Sequence, residues 1–230
     1  MDKLPFSIYD FFAYLSAGFV LLCGAAAAFV GGSGWQDTPT LMVGLLGVIA
    51  AYSAGHVLAN ISAFLLERLL VGRVLGTPTA VLLSDRPAPR IRHLFPGYFT
   101  SLPRNQRDRV LRQARRRADI EIAGPALFYH CFASVKHDDV VMVRLNTFLN
   151  LYGFCRNMSL ALLVVAAMLG IGTALGSVDT GSAVPVGWWI AGCVAGSLGL
   201  LYRYLKFFRH YGSEVFLSYA ELPSDRGEHG

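Results

Sequence analysis

Seven arginines crowd one short stretch of the chain, PRNQRDRVLRQARRRA (103–118): Arg104, Arg107, Arg109, Arg112, Arg115, Arg116 and Arg117. Pro103 suits a first helical turn, and Val110, Leu111, Ala114 and Ala118 then share one face, leaving the arginines on the others. A basic amphipathic helix of this kind can be a solvated face, a surface for anionic lipid headgroups, or a site for nucleic acid or nucleotide phosphates. The first two readings fit best. A helix tethered below an anionic leaflet gains about 1 kcal/mol per basic residue near the surface, and the aromatic residues that interleave with the basic ones in single-strand binders are missing from this stretch.

A second set of polar residues interrupts apolar sequence. Ser53, His56 and Asn60, at spacings of three and four, make a polar stripe in the run Leu41–Leu66. An ionisable group at mid-membrane depth marks a functional site by default, and if a pore exists this stripe is its expected lining. Hydrogen-bonding glue between helices is nevertheless favoured over a proton or ion relay. Asp10, Arg156 and Arg203 fall at the ends of other apolar runs, where Asp10 can pair with either arginine as a structural contact at the inner interface.

The remaining chemistry is thin. His130, Cys131, His137, Asp138 and Asp139 are the one cluster of ligand-type side chains, but two turns of helix between the histidines is wider than a compact two-histidine site, so a surface polar patch is expected. The R-x6-H spacing, similar to the motif of HEPN-type ribonucleases, occurs at Arg203/His210 and again at Arg86/His93, which in an arginine-rich chain carries little weight. Gly31–Gly34 contains the letters G-x-S-G in an expected external turn. P-loop, dinucleotide and H-E-x-x-H signatures are absent from the sequence. No catalytic residue, metal site or cofactor is assigned, and the expectation leans away from an enzyme.

These residues sit in a chain whose composition argues for a bilayer. Of its 230 residues 54% are hydrophobic and only 15% charged, against about 25% charged in soluble domains, and the mean hydropathy is +0.46. Crossing about 30 Å of hydrocarbon takes roughly 20 apolar residues. Four runs qualify: Phe11–Val30, Leu41–Leu66, Asn157–Gly176 and Val184–Tyr202. A signal peptide is the competing reading of the first, but the run is longer than a usual h-region and Asp10 interrupts its basic flank.

Lysine and arginine set the orientation. The turns after the first and third runs hold none, whereas 67–144 holds 14 of the 20, with 7 acidic residues. Both termini and the central segment are therefore expected on the cytoplasmic side. Trp35, Trp188 and Trp189 then lie at the outer interface and Tyr9, Tyr202 and Tyr204 at the inner one. The four cysteines form no C-x-x-C pair and suggest neither disulfides nor zinc.

Small residues supply the expected helix contacts. Gly47, Ala51, Gly55, Ala59 and Ala63 recur every four residues, and Gly192 and Gly196 do so in the fourth run, leaving room for a partner within the chain or in another copy. After Gly124-Pro125 the chain has no further Gly or Pro until Gly153, which predicts a helix continuing into, or stacking on, the third span; the segment after the fourth span prolongs it, with Leu205, Phe208, Val215 and Tyr219 in register.

The expected architecture is all-α: four transmembrane helices in two hairpins, with a basic, mostly helical cytoplasmic insert between spans 2 and 3. Its parts are a hairpin (1–66), the basic module (67–144), a second hairpin (145–205), a helical extension (206–222) and a disordered tail (223–230). The segments IYDFFAYLSAGFVLL and LNLYGFCRNMSLALLV, with the aromatic-rich extension after the fourth run, resemble small bacterial multi-span proteins. In layout the chain is similar to membrane effectors of anti-phage defence systems. The resemblance implies a bacterial inner-membrane homo-oligomer, acting as an effector, pore or scaffold with a cytoplasmic sensing module. The alternative is a membrane-embedded enzyme or carrier for a lipid-linked or anionic substrate, using Asp10, Arg156 and the arginine helix. A nucleic-acid binder is third.

Overall fold

A computed structural model describes residues 8–30, 41–84, 90–118, 124–178 and 184–223. Among these the chain is helical and has no strand: α1 (Ile8–Phe29), α2 (Leu41–Ser62), a π-helix (Ala63–Leu75), α3 (Pro78–Leu83), a 3-10 turn (Arg90–His93), α4 (Arg104–Ala118), α5 (Gly124–Val135), α6 (Asp139–Ala174) and α7 (Val186–Glu221). Among the described residues two helical stretches are long and apolar enough to cross a membrane by length and composition, Leu41–Leu83, which takes in α2, the π-helix and α3, and Asp139–Ala174, while Ala13–Phe29 is a shorter apolar helix. Trp188, Trp189 and several glycines dilute the apolar half of α7. Trp35, the Gly31–Gly34 turn and residues 224–230 of the tail lie outside the described residues.

The chain divides into two compact units, 1–69 with 152–204 and 70–151 with 205–230. In the first, α1 and α2 approach until backbone meets backbone. A Cβ added to Gly18 would lie 1.8 Å from the Ala51 carbonyl oxygen, and one added to Gly55 would lie 1.9 Å from that of Tyr14. Gly24 likewise receives Val165, and Gly172 receives the Ala28 carbonyl. Ala17, Leu58, Leu160 and Ala161 form one small core and Ala28, Val165 and Leu169 another. Small side chains thus set the spacing, as close packing requires where lipid removes the hydrophobic drive between helices.

Serines add hydrogen bonds to this packing. Ser159 Oγ donates to the Ser197 carbonyl at 2.8 Å and Ser197 Oγ to that of Ser159 at 2.8 Å, both serines being buried. Ser177 Oγ lies 2.8 Å from the Ala28 carbonyl. Helix α6 ends at Ala174 and is closed by Gly176, whose φ of +70° lets the Ser177 amide bond back to Gly172 at 2.9 Å and the Gly176 amide to Thr173 at 3.1 Å.

The second unit has an ordinary apolar core. Leu82, Val110, Leu127, Cys131, Leu145, Val215, Phe216 and Tyr219 pack together and are almost wholly shielded. Tyr98 anchors the turn at Gly76 by donating its hydroxyl to the Gly76 carbonyl at 2.6 Å. Arg144 pairs with Glu214 at 2.9 Å.

Two stretches differ from the sequence reading. The helix of the second apolar run does not stop with that run at Leu66 but continues as the π-helix to Leu75; Gly76, with φ +80°, ends it. The stretch after Gly124 is two helices, not one. Asp138 accepts the amides of Val140 (2.9 Å) and Val141 (3.1 Å), capping α6 and stopping α5 at Val135. An aspartate at this position satisfies amides that a continuous helix would have bonded to preceding carbonyls.

Candidate functional site

The most polar place in the apolar unit is where α2 gives way to the π-helix. Ser62, the last residue of α2, is fully buried, and Asn157 on α6 is 2% exposed. Ser62 Oγ lies 2.7 Å from Asn157 Oδ1 and 2.9 Å from the Ala59 carbonyl oxygen, so its single proton serves one of the two at a time. Arg156 Nε donates to Ser62 Oγ at 3.0 Å and to Asn157 Oδ1 at 3.3 Å, while Nη2 donates to Asn157 Oδ1 at 3.2 Å. Its Nη1 bonds Glu67, carried by the π-helix. The Arg156 side chain is 12% exposed and that of Glu67 31%. π-Helical turns gather at functional sites, and this one brings the carboxylate to the guanidinium.

The cluster is electrically closed. Arg156 is answered by Glu67, and burial strengthens that attraction relative to water. Nothing in it activates Ser62 as a nucleophile, whose neighbours are an amide, a guanidinium and a main-chain carbonyl. The arrangement clamps helices and carries no acid–base pair poised for catalysis.

The expected polar stripe splits. His56 is half-buried, stacked on Tyr14 with ring centroids 4.2 Å apart and edge-on to Tyr52 at 4.5 Å. Ser53 and Asn60 are exposed, on a helix whose Val57 and Ile61 are also 60% and 46% exposed. The glycine stripe splits too. Gly55 is locked against α1 and a Cβ added to Gly196 would lie 3.1 Å from Leu162 Cδ1, whereas Gly47 and Gly192 have open space where a Cβ would be. An apolar groove of about 570 Å³ runs between α1 and α2 past Phe19, Cys23, Gly44 and Gly47. The side chain of Asp10 lies outside what the structure describes; Arg203 is exposed.

In the second unit, α4 presents the arginines unevenly. Arg104, Arg109, Arg112, Arg115 and Arg116 are exposed and Arg117 is half-buried, while Arg107 is buried beside Val110 and Ala114. Gln113 Nε2 donates to the Leu222 carbonyl at 3.1 Å, tying α4 to the end of α7.

The histidine–cysteine cluster does not converge. His130 Nε2 is 3.1 Å from the Tyr219 hydroxyl, Cys131 is in the core, Asp138 caps α6 and His137 is exposed. Among the described residues no group of three or more His, Cys, Asp or Glu could hold a metal. Burial pushes the Cys131 thiol up to about 12. Burial, then the Cys131 neighbour, pushes Tyr219 up to about 12 against the opposing pull of Arg117.

Sequence reasoning missed Ser62, Asn157, Glu67 and the Ser159–Ser197 pair. Glu67 had a signal: it is the acid nearest the end of a long apolar run, and a carboxylate there calls for a cation. No protein-family model, curated protein or solved structure matches this chain.

Proposed function

We propose that the chain is a non-enzymatic integral membrane protein with four transmembrane helices, its termini and basic segment on the cytoplasmic face of a bacterial inner membrane, working as a homo-oligomeric effector, pore or scaffold. The observation that carries this reading is the outward face of α2. Only 17% of the most apolar window of Leu41–Leu83 is buried within one chain. That uncovered helix carries Ser53, Asn60 and the open Gly47. An amide side chain in hydrocarbon loses its hydrogen bonds, whereas a second copy of the helix offers a polar partner and a small-residue surface. The exposed arginines of α4 serve as the contact with anionic headgroups.

The alternative, a membrane-embedded enzyme or carrier binding an anionic substrate at Arg156, is less well supported, because the substrate must first displace Glu67 from the guanidinium. Native mass measurement of the protein released in nanodiscs, with planar-bilayer conductance, tests the proposal. A discrete ring whose conductance or mass is lost in Asn60→Leu supports it. A monomer of unchanged mass in both forms, or a stoichiometric lipid-linked ligand, sinks it.

A further inference from the structure

The outward face of α2 carries a regular seam. Met42, Leu46, Ile49, Ser53, His56 and Asn60 alternate at spacings of four and three residues, the rhythm of the a and d positions of a coiled coil. Met42, Leu46 and Ile49 are 74%, 57% and 54% exposed, Ser53 and Asn60 are exposed, and His56 is half-buried. At 1.5 Å per residue the seam runs for about 27 Å, close to the roughly 30 Å depth of a bilayer's hydrocarbon. We propose that this seam is the contact between copies: α2 helices of neighbouring chains lie parallel and in register, joined by hydrogen-bonded layers at Ser53, His56 and Asn60. Resting on the homo-oligomer reading above, the seam fixes which helix meets which and in what register.

The three polar side chains decide what covers this face. Among the described residues Ser53, His56 and Asn60 make no hydrogen bond within the chain, and the His56 ring is only stacked on Tyr14 and edge-on to Tyr52. In the same unit the serine, threonine and asparagine side chains of α1, α6 and α7 all have partners inside the chain. Ser159 is bonded to Ser197 and Asn157 to Ser62, while Ser16 and Thr173 donate to carbonyls of their own helices. Lipid tails offer no hydrogen bond, so an amide, a hydroxyl and an imidazole left facing them stay unsatisfied. The α6 or α7 of a neighbour would serve no better, since the polar groups of those helices in this unit are already bonded.

A second α2 supplies the complement. A hydroxyl and an amide each donate and accept, and a neutral imidazole has one nitrogen of each kind, so every layer can pair with itself. Copies in one membrane share their orientation, and rotation about an axis along the membrane normal sets α2 beside α2 in parallel, each residue at the depth of its equivalent. Polar residues at seam positions of this kind specify register. Met42, Leu46 and Ile49 form the apolar layers toward the start of the helix. A straight helix drifts about 20° per heptad from the 3.5-residue repeat, so the seam stays closed where the helices wrap left-handed.

Single cysteines placed along α2 of the full chain, in a Cys23→Ala, Cys193→Ala background, test this by oxidative cross-linking in membranes; Cys131 and Cys155 are buried and stay. Met42→Cys, Leu46→Cys and Ile49→Cys should form disulfide dimers at least about tenfold faster than Val43→Cys and Gly47→Cys, which lie off the seam, because a disulfide closes only where the two Cα atoms approach within about 7 Å. Asn60 is exposed in the single chain, so Asn60→Leu leaves its fold intact. That variant should weaken association, read by energy transfer in proteoliposomes diluted with lipid, roughly three- to twentyfold, the range for one interhelical hydrogen bond in a membrane; Asn60→Gln should restore part of it. Faster cross-linking at Val43 or Gly47 than on the seam, or association untouched by Asn60→Leu, would overturn the proposal and leave the homo-oligomer reading standing. Cross-links to another protein alone, or a monomer at every dilution, would overturn both.

Discussion

Gly55→Ala should destabilise the protein while Gly47→Ala should not, although the two glycines lie on one stripe of one helix. The Cβ of an alanine at 55 would fall 1.9 Å from the Tyr14 carbonyl oxygen, and the partner contact at Gly18 is as tight, at 1.8 Å from the Ala51 carbonyl oxygen. Backbone cannot rotate aside as a side chain can, so α1 and α2 must separate by about 1 Å or more to restore a van der Waals distance near 3.5 Å. Overpacking of that kind costs about 1–3 kcal/mol. The substitution also gains helix propensity, up to about 1 kcal/mol for glycine to alanine, which masks part of the loss. Gly47→Ala, with nothing within 4 Å of its Cβ, gains the same propensity and meets no clash within the chain. The difference between the two variants therefore isolates the packing cost, at about 1–3 kcal/mol. Equilibrium unfolding in mixed micelles by titration with a denaturing detergent measures it. Equal stability of the two variants, or a Gly55→Ala protein as stable as the parent, would refute the interlock of α1 and α2.

Arg156→Met should cost about 3 kcal/mol, toward the low end of the range for breaking a buried pair because Glu67 keeps 31% exposure, and Arg156→Met with Glu67→Leu should regain much of it; a double variant as unstable as the two single losses combined would show that the pair is not coupled. His210 has a folded pKa below its ordinary value, so the unfolded chain binds its proton more readily and folding loses stability as pH falls. That loss begins near the ordinary histidine value, about 6.5, and is complete below the lowered one; melting profiles from pH 7.5 to 5 should be flatter for His210→Gln than for the parent, and identical slopes would refute it. Cys131, wholly buried with its thiol pushed up to about 12, should resist maleimide until the second unit unfolds; labelling of Cys131 under native conditions, read by mass spectrometry, would contradict its place in the core.

Helical content was legible because long apolar runs without proline leave the backbone few alternatives, and α2 with its π-helical continuation to Leu75, and α6, are helices of that kind. The division of labour within a stripe was not. Gly47 and Gly55 are identical in sequence terms, and only the position of Tyr14 on another helix makes one of them a contact. The α4 pattern was partly readable: Val110 and Ala114 turn inward as their spacing requires, but Arg107 is drawn in beside them, since a long guanidinium stem can follow an apolar face. The break at Asp138 escaped a search for glycine and proline, because an aspartate side chain stops one helix by starting the next. Partners far apart in sequence, such as Ser62 with Asn157 and Arg156 with Glu67, leave no local periodicity to read.

The placement of charge bears on where a ligand can act. Arg156 looks like an anion site from sequence, yet Glu67 takes one arm of its guanidinium and Ser62 and Asn157 take the others. An incoming anion there would have to strip a carboxylate from a shielded cation, trading one charge pair for another and leaving Glu67 uncompensated. Arg209 makes the opposite arrangement, with its charge facing a neutral carbonyl and its partly buried head already less well solvated than in water. A cation whose partner is a dipole retains attraction for an anion; a cation already paired with a carboxylate retains little. By that comparison the arginine inside the apolar unit is committed to holding helices together, with its charge spent on Glu67 rather than left for a ligand.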